Sequence, residues 1–192
     1  MNKTKRLIFE SAIKIFSSSG YNGATMDDIA LSAGVAKGTL YYHFNSKEEI
    51  FKFIITEGMI VINEEIQEAT KNETNPICKL RALCKVELNM VYKNKDFFKV
   101  VMSQLWGQDS RQLELRNVIQ EYIKCLEGYI KEAMNGGVIK KSNSSFMAYT
   151  LFGVLCSASI YELMNEAAKD IDEVCENLMQ YILNGIAVNQ IM

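Results

Sequence analysis

Residues 25–47 read Thr25-Met26-Asp27-Asp28-Ile29-Ala30-Leu31-Ser32-Ala33-Gly34-Val35-Ala36-Lys37-Gly38-Thr39-Leu40-Tyr41-Tyr42-His43-Phe44-Asn45-Ser46-Lys47. Thr25 with Asp28 three residues on has the form of a capping box, Asp standing in for Glu or Gln. It starts a short helix that puts Ile29 and Ala30 on one apolar face. Gly34 stands where the chain must turn sharply, and glycine takes positive φ at no steric cost. A second helix is predicted from about Ala36 to Phe44, with Leu40 and Phe44 four apart on its inner face. Lys37, Thr39, Tyr41, Tyr42 and His43 are left outward. A cation, hydroxyls, aromatic rings and an imidazole suit hydrogen bonding to base edges and phosphates. The stretch has the outline of a helix-turn-helix with a recognition helix.

Working outward toward the N-terminus, Ile8, Ala12, Ile15 and Phe16 recur at helical spacing from Lys3 to Ser19, and Gly20 is a suitable residue to end that helix. Residues 21–24 read as a loop, and the three helices make a head of roughly 45 residues, the size of a three-helix DNA-binding unit. Toward the C-terminus, Asn45-Ser46 breaks the recognition helix, and Ser46 with Glu49 forms a second capping box. The helix that follows carries Ile50, Phe51, Ile54, Ile55, Met59 and Ile62 to about Ala69, long enough to link the head to a body. Further helices are predicted over 76–92, 97–106, 109–134, 144–166 and 170–190 from their apolar spacing and the breaks at Asn94, Gly107 and Gly136-Gly137. With one proline and 11 glycines in 192 residues, long helices are favoured over many-turned sheets, and the fold class is all-α.

Net charge is −2, but it is unevenly spread. Residues 1–47 carry six Lys or Arg against three Asp or Glu, while the rest carry 15 against 20. A basic head on an acidic body suits contact with phosphate at one end only. The five cysteines are odd in number, lack a Cys-x-x-Cys pair and fall within apolar helical patterns. They read as reduced, mostly buried thiols of a cytoplasmic protein. No bilayer-spanning run and no membrane partner are expected.

The residues Gly20-Tyr21, Thr25, Ile29-Ala30, Ala33-Gly34-Val35, Gly38-Thr39-Leu40-Tyr41, His43-Phe44 and Ser46-Lys47 resemble the TetR (tetracycline-repressor-like) family of bacterial transcriptional regulators. The resemblance covers about the first quarter of the chain in one ungapped stretch. It implies about nine helices, with a DNA-binding domain over 1–47 and a helical ligand-binding and dimerisation domain over 48–192. It also implies that Lys37, Thr39 and Tyr42 face the major groove and that Tyr41, Tyr42, His43 and Lys47 hold phosphates. Thr25 would cap the preceding helix onto the backbone, and Gly38 would permit close approach to the DNA. The segment from Gln104 to Ile139 resembles more loosely those members that sense fatty acyl-CoA, from which no ligand identity is carried over.

Large or soft apolar groups recur on the body helices, among them Tyr92, Phe98, Met102, Trp106, Tyr122, Phe152 and Cys156. By pattern they are either a plain core or the lining of a ligand cavity, and the resemblance implies the cavity. The last two helices combine small residues, including Gly153, with Ile160, Val174, Leu178, Ile182 and Gly185, which suits a homodimer built on them. No catalytic motif, metal cluster or cofactor loop stands out, and none of these is expected. The function expected is a repressor released from a palindromic operator by a small apolar effector. The alternative is a DNA-binding regulator or DNA-organising protein with no small-molecule ligand, controlled by a protein partner.

Overall fold

Apolar residues at i, i+3 and i+4 spacing bury one stripe of each helix, and the computed structural model follows that spacing through residues 1–165 and 170–184. Among these described residues there are nine helices and no strand: α1 (Lys3–Gly23), α2 (Met26–Ala33), α3 (Lys37–His43), α4 (Lys47–Thr70), α5 (Pro76–Lys93), α6 (Lys95–Gln104), α7 (Ser110–Asn135), α8 (Ser144–Met164) and α9 (Ile171–Asn184). Helix α8 stops at Met164, short of the expected Glu166, because Asn165 is extended and caps it; the expected extension of α9 to Gln190, with Gly185 in the apolar seam, lies outside the described residues.

The chain forms two compact units, Met1–Ile60 with Asn94–Ile119, and Val61–Lys93 with Gln120–Met192. The division at 47/48 expected from the sequence follows another line than that between the compact units, because α6 and the first part of α7 lie in the same unit as the head. Both α4 and α7 are continuous helices that contribute to each unit.

In the first unit, α1 packs on α2 and α6, and α2 on α3. Ile8, Ala12, Phe16, Ile29, Leu40, Phe44, Ile50, Phe51 and Ile54 form its core. Burial of each large apolar side chain there contributes about 1.5–3 kcal/mol. Asn2 starts α1, its side-chain oxygen accepting from the Lys5 backbone N–H at 2.8 Å. Gly20 takes φ 70°, as its expected role at the helix end requires, and one further turn follows it to Gly23. Gly58 on α4 admits α6, since a Cβ there would come within 2.3 Å of the Phe97 ring.

In the second unit, α5 packs on α8 and α9. Leu80, Leu83, Leu88 and Val91 of α5 are buried with Leu126 and Ile130 of α7 and Leu151 and Leu155 of α8. Helix α8 corrects one expectation: by length and composition alone it is apolar enough to cross a membrane. Serine, threonine and glycine interleave its apolar residues and hide the run, which carries no charge from Ser144 to Tyr161. All five cysteines are free thiols.

Candidate functional site

Helix α2 is capped at its start, and turned into α3 at its end, by hydrogen bonds that the sequence foreshadows. The Thr25 hydroxyl oxygen accepts from the Asp28 N–H at 3.1 Å, and the Thr25 N–H donates to the Asp28 carboxylate at 3.2 Å. At the other end Gly34 adopts φ 64°. The Gly34 N–H reaches the Leu31 carbonyl and the Val35 N–H the Ala30 carbonyl, both at 3.1 Å, the pairing of a Schellman motif. Buried Leu40 then seats α3 on the head.

Seating Leu40 inward sets which side chains face out. Tyr42 is 84% exposed and Tyr41 42%. Lys37 and Gly38 are exposed as well, Thr39 and His43 are half-buried, and the His43 ring lies 5.1 Å from that of Tyr42. The Lys37 ammonium pairs with Asp27 at 2.8 Å, both side chains largely in solvent. Exposed pairs of this kind are worth at most about 1 kcal/mol, so a phosphate or a base can compete for the cation. A Cβ at Gly38 would meet nothing within 4 Å. The fold itself therefore does not demand glycine there.

Lys47 stands apart from that face. Its ammonium donates to the carbonyls of Tyr21 at 2.6 Å and Ala24 at 2.9 Å, and lies 4.5 Å from the centre of the Tyr21 ring. Partial burial, with the nearby Arg111 cation, lowers its pKa from the ordinary lysine value. Arg111, from the first turn of α7, stacks on the same ring at 4.0 Å and pairs with Asp109 at 2.6 Å. Ser110 donates to Glu48, Lys52 pairs with Glu114 at 2.5 Å, and Ser17 donates to Asp96 at 2.7 Å. The start of α7 and the start of α6 are thus tied to the head within one unit. Sequence reasoning missed Tyr21 and Arg111 in this role, because residues 90 apart in the chain carry no mutual spacing signal.

Of the apolar residues singled out in the body, the structure brings together Tyr122, Phe152 and Cys156. The Tyr122 and Phe152 rings meet edge to face at 6.3 Å. Tyr92 belongs to the same unit and is exposed; Phe98, Met102 and Trp106 belong to the other. Trp106 is 81% exposed, Phe98 meets Phe97 edge to face at 5.5 Å, and Met102 is half-buried. A further residue joins the first group. Glu87 of α5 is buried, and the Tyr122 hydroxyl donates to its carboxylate. Burial pushes its pKa up to about 7, against the opposing effect of that hydrogen bond. Burial, followed by the charge of Glu87, also raises the Cys156 thiol to about 11. Spacing held the signal for Glu87, since it falls between Cys84 and Val91 on the apolar stripe of its helix. Among the described residues no cluster of three or more metal-ligating side chains forms.

On α8, Gly153 and Ile160 are exposed, together with Phe146, Tyr149, Tyr161 and Met164. On α9, Leu178 is buried while Val174 and Ile182 are half-buried. Val174 and Leu178 line a groove of about 620 Å³ between these two helices, with Val154, Ala158 and Tyr181.

Residues 8–54 match the family model described as bacterial regulatory proteins, tetR family, and residues 55–185 match that described as YsiA-like protein, C-terminal region. The fatty acid metabolism regulator protein of Bacillus subtilis is 26% identical over 184 residues, covering 93% of each chain. A candidate fatty acid metabolism regulator of Clostridium perfringens has a solved structure that is 46% identical. It superposes with a TM-score of 0.89 over 95% of this chain and 100% of that one. The structure of FadR from Bacillus subtilis in complex with stearoyl-CoA is 22% identical, with a TM-score of 0.85 over 95% of this chain and 99% of that one, and shares the fold.

Proposed function

The chain belongs to the tetR family of bacterial regulatory proteins and is a transcriptional regulator, and from that premise we propose that it is a repressor released from a near-palindromic operator by a fatty acyl thioester. The observation that carries the DNA-binding part is the outer face of α3, where Lys37, Thr39, Tyr41, Tyr42 and His43 surround a glycine that the fold does not require. A second copy joined through the exposed faces of α8 and α9 would set two such helices about 34–36 Å apart, one turn of DNA. Lys47 serves this face from behind, holding the end of α1 against the start of α4.

The acyl ligand is favoured by the regulator of Bacillus subtilis whose structure holds stearoyl-CoA. Tyr122, Phe152 and Cys156 offer the apolar contacts such a chain needs. A ligand that binds better to a conformation with the two heads splayed would shift the population away from the DNA-matched spacing. Footprinting on DNA upstream of the protein's own gene tests this. A symmetric protected site that disappears on adding stearoyl-CoA is expected. Protection of no symmetric site, or protection unchanged at saturating ligand, would overturn the reading.

A further inference from the structure

The helical stripe of α5 runs Leu80, Leu83, Cys84, Glu87, Leu88, Val91, and at one of its buried positions it carries a carboxyl group. Glu87 is 7% exposed. Among the described residues no Lys, Arg or His pairs with it, and its hydrogen bond comes from the Tyr122 hydroxyl of α7. The thiols of Cys84 on the same helix and Cys156 on α8 lie within range of its charge, and Cys125 lies within range of Tyr122. Phe152 of α8 closes on Tyr122 from the side. Three helices of one unit thus surround a carboxyl and a phenol with soft, weakly polar groups.

Such a pair is a poor way to fill a core. Replacing buried polar pairs by apolar groups of similar volume is often neutral or stabilising, so a reason other than packing is required. The donor and acceptor inventory narrows what could use it. Tyr122 spends its O–H on one Glu87 oxygen, which leaves the other oxygen as the strong acceptor of the cluster, with thiols as weak donors. A ligand ammonium brings three N–H donors and would leave two without strong acceptors. A ligand carboxylate would be repelled. A single hydroxyl brings one donor for the carboxyl oxygen and accepts weakly from a thiol, and it matches the site.

We propose that the Glu87–Tyr122 pair is a specificity-determining site, selecting an acyl effector that carries a hydroxyl group over its plain saturated counterpart. The inference rests on the reading that an acyl ligand enters this unit. The ligand hydroxyl donates to the Glu87 oxygen that Tyr122 leaves open. A saturated chain at the same place takes that acceptor out of water and returns no hydrogen bond.

The test uses the full-length protein and four probes: palmitoyl-CoA and its forms hydroxylated at carbon 3, 10 or 16. Dissociation constants come from titration calorimetry, and release is followed on an operator fragment. At least one hydroxylated form should bind the unaltered protein about tenfold more tightly than palmitoyl-CoA, the worth of one well-made hydrogen bond. Glu87→Leu should abolish the preference and strengthen palmitoyl-CoA binding, while Glu87→Gln, which keeps shape and folding, should shrink it. A preference that persists unchanged in either folded variant would sink the inference. So would equal or weaker binding of every hydroxylated form. If none of the four probes binds or releases DNA, the acyl-effector reading falls with it, whereas binding of palmitoyl-CoA without preference overturns the hydroxyl site alone.

Discussion

Lys37 and Lys47 sit ten residues apart and do different work. Lys37 holds an exposed partner, Asp27, and gives it up cheaply, whereas Lys47 is tied to two carbonyls and an aromatic ring. Lys37→Ala should therefore weaken operator binding by about 1–3 kcal/mol and random-sequence DNA by much less, as measured by competition titration. Lys47→Ala should instead lower the thermal midpoint, since a charged donor to two carbonyls contributes about 1.5–3 kcal/mol, and weaken both DNAs alike. Glu87 poses the opposite problem. Its folded pKa of about 7 lies above the ordinary 4.5, so the folded state binds its proton more tightly between those values. The neutral carboxyl is tolerated below about pH 4.5, and stability is lost as pH rises to 7. A rise of this size amounts to about 3 kcal/mol. Glu87→Gln should leave the thermal midpoint nearly unchanged at pH 5 and raise it at pH 8; an equal effect at both would show that the charge is not the cost.

Among the elements, α3 and α4 show what a glycine means in a helix. At Gly38 nothing in the protein occupies the space of a Cβ, so Gly38→Ala should leave the thermal midpoint unchanged or slightly raised, alanine being the better helix former. DNA affinity should nevertheless fall, measured by the same competition titration. At Gly58 the Phe97 ring fills that space, and Gly58→Ala should destabilise the first unit by about 1–3 kcal/mol through overpacking. The two substitutions are alike on paper and differ through their neighbours. Helix positions themselves were largely legible: breaks at Asn94 and Gly136-Gly137 and the caps at Thr25 and Ser46 set them to within one or two residues. The exception was the extra turn after Gly20, which becomes visible only when the Ala24 N–H is seen donating to the Gly20 carbonyl.

At the scale of the molecule, the exposed face of α8 is the feature most in need of a partner. Phe146, Tyr149, Ile160 and Met164 leave a large apolar surface exposed, and such surfaces mark interaction sites. A second copy is the occupant proposed here. Ile160→Asp should yield a monomer by light scattering, and with it the loss of cooperative binding to a two-half-site operator. A dimer that survives this change and Gly153→Arg together would place the interface elsewhere. Helix α8 also shows how composition misleads: an uncharged run masked by serine, threonine and glycine has polar hydroxyls bonded back to its own carbonyls, as Ser157 does to Gly153 and Thr150 to Phe146.

Residues 25–47 by themselves determined a helix-turn-helix and the outward set on α3, because capping, turning and the inward spacing of Leu40 and Phe44 are local interactions encoded within a few residues. The all-α class followed in the same way from apolar periodicity and the scarcity of breakers. Only tertiary structure decided that Lys47 turns inward to α1, that Arg111 stacks on Tyr21, and that Glu87 meets Tyr122 among cysteine thiols. Those contacts join residues from 23 to 90 positions apart, and no local spacing rule specifies a partner at such a distance.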